Sequence, residues 1–265
     1  MTADELMAHV MNRSFGLIFA SGPLEFHLSQ HLIMLWVSVT VATLLAVAAA
    51  RSRLAGGGRM ATAAEYFIVT VRDGVVIPAL GEHYGRKYLP FFLALALLIL
   101  VSNLLGLVPN IHAGPIVIGG AATGNLWINI GLASFTFLFA LVIAIREHGP
   151  LGYLKSFVPH GIPLFIAPLI WVLEFGGILI KHMVLSIRLT ANMIAGHLVI
   201  FAILGMVVTI VRSVSNPSLA IAISIGPILL ATAIFLLEIL VAFIQTTVFT
   251  ILAAVFVGMA VNPRH

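Results

Sequence analysis

Residues Ser186–His197 read SIRLTANMIAGH. Arg188 falls inside a long apolar tract, 162–211, and its guanidinium stays charged at any physiological pH because its pKa lies above ~12. The tract also holds Glu174, Lys181, His182, Asn192 and His197. As one helix it is about 75 Å long, against a hydrocarbon core of about 30 Å. A break at Ser213 to Pro217 follows, and a second tract, 218–261, carries Glu238 and Gln245. Each tract is either two short spans joined by a tight turn or one long, steeply tilted helix. In the second case the pair forms a hairpin turning at Asn216-Pro217. Gly176-Gly177 and Pro227 can kink a helix without ending it. The polar residues lie mid-tract rather than at a loop, which favours the hairpin. Such a helix cannot be wholly covered by lipid, so its polar face must meet protein or water.

Composition sets the class. Hydrophobic residues make up 61% of the chain and charged ones 8%, whereas a soluble domain carries roughly a quarter charged residues. The chain reads as an all-α integral membrane protein. Its net charge of +4 does not point to nucleic acid, because most basic residues flank apolar runs, where they orient helices in the bilayer. There is no cysteine, which excludes disulfides and thiolate metal centres. No metal or cofactor is expected. The first apolar patch, Phe15 to Ala20, is short, and no cleaved signal peptide is expected.

A spanning helix needs about 20 apolar residues. The spans expected are 28–50, 89–108 and 126–145, followed by the two long tracts, which gives about five crossings. Between the first two, 61–80 is apolar but interrupted by Glu65, Arg72 and Asp73, a mixture suited to an interfacial helix. Residues 110–123 read as a glycine-rich loop with Pro109 and Pro115 as breakers. Arg146, Glu147, His148 and Gly149-Pro150 close the third span. The whole chain, 1–265, is read as one membrane domain with no soluble appendage. Arg51, Arg53, Arg59, Arg72, Arg86, Lys87, Arg146, Lys155 and Arg264 fall on one side, and Arg13 and Arg212 on the other. The positive-inside rule then puts the N-terminus outside and the C-terminus in the cytoplasm.

Charges within spans cost roughly 2.5–3.5 kcal/mol each on insertion scales and mark ion paths or buried partners. Arg188 could form a structural ion pair with Glu174 or Glu238, since arginine pairs well with carboxylates. Helical geometry suggests more. Lys181, Arg188 and Asn192 fall within about 60° of one another, with Glu174 close to that stripe. His197 points to the opposite side, and His182 lies within about 60° of it. In an antiparallel hairpin Gln245 comes level with the Arg188 region and Glu238 lies nearer His197. A His–Glu pair of this kind reads as a proton relay. His27, His31, His83, His112, His148 and His160 read as packing or loop residues. Ser102 and Asn103 form a polar patch or bond between helices, the commoner case.

Four segments carry a family resemblance. SIRLTANMIAGHLVIF resembles the hallmark helix of subunit a of the F-type ATP synthase. SNLLGLVPN (Ser102–Asn110), FVPHGIPLFIAPLIWVLE (Phe157–Glu174) and LEILVAFIQTTVFTIL (Leu237–Leu252) continue the match in the family's order over about the C-terminal two-thirds. The resemblance implies that Arg188 is the essential arginine facing the carboxylates of the rotating c-ring. It places Asn192 and Gln245 beside that arginine and Glu174 on the ion path. His197 and Glu238 take two coupled positions of the outer half-channel. Enterobacterial members carry Glu and His there, mitochondrial-type members His and Glu as here. His182 departs from the pattern, since many members have proline after the residue matching Lys181, and it adds a titratable group to the outer path. The implied partners are the c-ring, the peripheral-stalk subunit b, the F1 head through the assembled complex, and membrane lipid. The implied location is a bacterial inner membrane in preference to a mitochondrial one.

The rival readings differ in class. A polytopic secondary ion or solute transporter calls for inverted repeats with matching broken helices, and no corresponding halves are visible. A haem protein would use His182 and His197 as axial ligands, but both lie on one tract. Intramembrane hydrolysis lacks G-x-S-x-G and H-E-x-x-H motifs.

Overall fold

The computed structural model describes residues 14–21, 24–108, 111–113, 116–118, 122–156 and 165–261. In chain order the helices are α1 (Gln30–Leu54), α2 (Arg59–Val71), α3 (Ile77–Gly106), α4 (Leu126–Ser156), α5 (Ala167–Ser213) and α6 (Pro217–Val261). Among the described residues, five helical stretches are long and apolar enough to cross a membrane: Gln30–Leu54, Arg59–Gly106, Leu126–Pro150, Ala167–Ser213 and Pro217–Val261. The protein is an all-α integral membrane protein.

Two short hairpins interrupt this pattern. β1 (Ser14–Ser21) pairs antiparallel with β2 (Leu24–Ser29), so α1 starts at Gln30 rather than Leu28. The glycine-rich segment read as a loop contains β3 (Ile111–Ala113) paired with β4 (Ile116–Ile118), then a 3-10 turn at Ala122–Gly124. Strands this short stay hidden in the sequence, because three residues cannot display a period.

Glycine sets two breaks. A π-helical stretch, Arg72–Val76, joins α2 to α3. Gly81 then takes φ 77°, ψ 172° inside α3, a left-handed φ that a side chain disfavours. The piece ending at Leu80 is thereby set off from the apolar length that continues to Gly106. Gly149 (φ 71°, ψ 164°) does the same in α4. Pro150 behind it has no N–H to lose at the start of the next helical piece.

No such break occurs in α5 or α6, each of which is continuous. Gly176, Gly177 and Pro227 are all carried within them. The turn between the two is short. Val214 N–H donates to Ile210 O at 3.1 Å, and the Asn216 side chain accepts from Ser218 N–H at 3.1 Å. Asn216 thus caps a helix whose first residue is Pro217, the position where proline is best tolerated.

The chain clusters into two units. One takes the chain up to Ser38, Leu100–Ile128 and Leu189–Gln245. Within it, the end of α5 folds back against the start of α6. The other takes Val39–Ile99, Asn129–Arg188 and Thr246–His265. Its core is apolar and tight: Phe92, Phe249, Leu80, Val76, Ile99 and Val257 are fully buried, with Ala144 and Ala254 allowing close helix approach. Phe91 stacks on Phe139 at 3.6 Å between ring centres. Glu147 ties α4 to α3, accepting from Tyr84 Oη at 3.1 Å and Lys87 Nζ at 3.4 Å.

Gly258 in α6 packs against the backbone of α3 in this unit, and a Cβ there would overlap the Ala79 carbonyl oxygen. Because the obstacle is main chain rather than a flexible tip, Gly258→Ala is expected to destabilise the protein by about 1–3 kcal/mol. Thermal aggregation of the detergent-solubilised protein at lower temperature checks this, and unchanged thermal stability contradicts it.

Outward-facing side chains are apolar over long stretches. Phe165, Leu173, Ile180, Ile187, Leu229 and Leu236 are all exposed. Apolar side chains exposed in such number need lipid or another protein against them.

Candidate functional site

Arg188 sits well inside α5 and is exposed. Among the described residues the ion pairs are Arg72–Asp73, Glu82–Arg86 and Lys87–Glu147. Arg188 is in none of them, so the structural ion pair with Glu174 on the same helix is not formed among the described residues. Glu174 and Lys181, earlier on the same helix, are also exposed. A guanidinium held on an apolar helix without a carboxylate partner is available to a charge brought by another molecule.

Three of the other candidates meet in the unit containing Leu189–Gln245. Asn192 from α5 and Glu238 and Gln245 from α6 line one cavity of about 10 Å³, together with Asn103, Leu107, Leu189, Met193 and Ala242. Glu238 and Gln245 are seven residues apart, two helical turns, and so share a face of α6. Glu238 is 9% exposed, and neither carboxylate oxygen has a hydrogen-bond partner among the described residues. For so buried an acid this is unusual, since buried polar groups are nearly always paired.

Gly196 makes this placement of Glu238 possible. A Cβ on Gly196 would overlap the Glu238 carboxylate. The acid therefore lies across the helix backbone in the space left by a missing side chain, one residue before His197. His197 stacks on Phe201 with ring centres 6.1 Å apart, and its Nε2 is buried with no partner among the described residues. His197 and Glu238 thus approach the same turn of α5 without a direct hydrogen bond between them.

His182 is placed differently. Its ring lies 4.3 Å from Phe256 in a stack and 5.3 Å from Phe137 edge-on. Nδ1 is 2.8 Å from the Ile178 carbonyl, which makes it the N–H donor, while Nε2 is buried with no partner among the described residues. One turn on, the Ser186 hydroxyl is 3.1 Å from both the Asn129 and His182 carbonyl oxygens. His182 is held by aromatic packing and its own helix.

Reading the sequence did not single out Gly196 or Thr123 and left Asn103 open. The Thr123 hydroxyl donates to Asn103 Oδ1 at 3.0 Å, and both side chains are 2% exposed. A glycine between Ala195 and His197 in a good helix former's place was the available signal for Gly196, since glycine weakens a helix interior by about 1 kcal/mol relative to alanine. Nothing local points to Thr123, which lies twenty positions from its partner.

Comparison with known proteins fits this geometry. The family model described as the ATP synthase A chain matches residues 32–258, which takes in the first span as well as the C-terminal two-thirds. The chain is 36% identical to ATP synthase subunit a of Myxococcus xanthus over 92% of its length and 76% of that protein's. It is 32% identical to ATP synthase subunit a of Maricaulis maris, covering 91% of each. It is 32% identical to the Anaeromyxobacter dehalogenans subunit a over 94% of its length but 61% of that longer protein. A match spanning nearly all the helices, at this identity, leaves one assignment: the chain belongs to the ATP synthase subunit a family.

Proposed function

We propose that this chain is the stator half of the proton path in the membrane sector of an F-type ATP synthase, with Arg188 as the fixed cation between two offset half-channels. The observation that carries the reading is the exposed Arg188, unpaired among the described residues, on an unbroken apolar helix. A ring carboxylate that meets a permanent cation is stabilised in its ionised form. It must release its proton before passing, and it takes up another only on the far side. Proton flow then turns the ring one way and drives ATP synthesis, and the same path run backwards pumps protons. One charge moved across 100 mV yields about 2.3 kcal/mol, so several protons serve each ATP. The secondary-transporter alternative has no such support from the family.

Glu238 and His197 are the proposed acid and imidazole of the outer half-channel, in the order of the mitochondrial-type members. Asn192 and Gln245 line the same cavity as Glu238, which supports their place on the path. Glu174 is proposed for the same path from its exposed position on the α5 face near Arg188. His182 completes the set through its available Nε2. The partners proposed are the c-ring, the peripheral-stalk subunit b and the F1 head. The proposed setting is a bacterial inner membrane with the N-terminus outside and the C-terminus in the cytoplasm.

Co-purification tests the assembly: the tagged chain should bring down a small two-helix ring protein and a nucleotide-binding head. Its isolation alone from gently solubilised membranes would count against the reading. Glu238→Gln and His197→Ala are each expected to slow ATP-driven pumping by about a hundredfold, the scale of a lost proton-transfer group, while the complex still assembles. Unchanged rates and pH profile in both variants refute the relay.

A further inference from the structure

We propose that Thr123 is a positioning residue whose hydroxyl holds the Asn103 amide so that it serves the Glu238 carboxylate in both protonation states. The inference rests on the ion-path reading above and adds two residues to it.

The Thr123 hydroxyl donates to Asn103 Oδ1 at 3.0 Å. That leaves Asn103 Nδ2 buried with no partner among the described residues. Asn103 lines the same cavity as Glu238, whose two oxygens are in the same condition. An amide N–H donor and an acceptor-only carboxylate on one small cavity are complementary. About 10 Å³ of space is the scale that admits a single water, which needs polar partners of this kind to stay. Asn192 and Gln245 supply further polar groups on the same wall. On the part of α5 that shares this unit with Glu238, the titratable and charged groups among the described residues are His197, next to Gly196, and Arg212 in the last turn. From α3 and the residue just past its end the cavity receives Asn103 and Leu107, neither charged, and from α6 itself Ala242 and Gln245.

The chemistry needs a hydroxyl at position 123. Ionised Glu238 only accepts, so Asn103 must present its N–H, with Oδ1 turned to Thr123 as a donor. Protonated Glu238 has an O–H to give, and the amide turned end for end presents Oδ1 to it. Nδ2 then faces Thr123, which must accept. A threonine hydroxyl does both, because it carries one donor and two acceptor lone pairs. Valine has the same shape and does neither.

The test uses the complete complex reconstituted in vesicles, with ATP-driven acidification followed across external pH. Thr123→Val is expected to assemble and to lose about tenfold in rate, and Thr123→Ser to recover it. Asn103→Leu is expected to lose a similar amount and to move the pH profile about one unit to the alkaline side, since it removes the donor to the ionised acid. A Thr123→Val complex with wild-type rate overturns the proposal, as does a Thr123→Ser complex no better than the valine one. Should Thr123→Val fail to assemble, Asn103→Leu decides alone, and an unmoved pH profile there overturns it. Arg188→Ala run alongside separates the two levels. Coupled transport surviving in that variant removes the ion-path reading itself, whereas its loss beside an unaltered Thr123→Val removes only this inference.

Discussion

Arg188→Ala should abolish proton-coupled ATP synthesis while leaving the complex assembled. The side chain is exposed and unpaired among the described residues, so truncating it removes no internal partner and relieves an insertion cost of roughly 2.5–3.5 kcal/mol. Folding therefore should not suffer. What is lost is the obligation on a passing carboxylate to ionise. Without it a protonated ring site crosses the stator face still loaded, and the two half-channels no longer enforce a direction. Arg188→Lys should fail as well. A lysine surrounded by apolar helix gives up its proton readily, whereas a guanidinium does not. Synthesis measured in energised membrane vesicles, beside a blot for the assembled complex, is the check. Retained synthesis in the alanine variant ends the mechanism.

Gly196→Ala should reduce coupled proton transport by about a hundredfold, the scale expected when a proton-transfer group is displaced. The added methyl group would overlap the Glu238 carboxylate. That carboxylate is the far end of a flexible side chain, so it can swing away at little cost. Alanine also gains about 1 kcal/mol of helix propensity over glycine. Stability and assembly should then hold while the acid leaves its place beside His197 and the cavity. The contrast with Gly258→Ala is the point of the experiment, because there the obstacle is the Ala79 main chain and stability should fall instead. Wild-type pumping in Gly196→Ala would show that Glu238 does not work from the position seen here.

Much of the site was legible because α-helices convert sequence spacing into direction. Glu238 and Gln245 had to share a face, and Arg188 had to stand out in a tract with no other reason to keep a cation. The helix break at Gly149-Pro150 was legible too, because glycine followed by proline stops a helix. Spacing says nothing of what crosses from one helix to the next. The meeting of Glu238 with Gly196, and of Asn103 with Thr123, depends on how two segments lie against each other. Neither the depth of Glu238 nor the aromatic packing of His182 between Phe137 and Phe256 follows from one helix's periodicity.

The sequence by itself determined that the chain lives in a membrane, that its long tracts are helical, and which family it joins. Those facts follow from composition, from a 3.6-residue period and from a run of residues too specific to recur by chance. Tertiary structure alone decided that, among the described residues, Arg188 goes without an internal carboxylate partner and Glu238 lies over a glycine with both oxygens unsatisfied. Pairing and burial are properties of packed neighbours, and packing brings together residues that the chain itself keeps far apart.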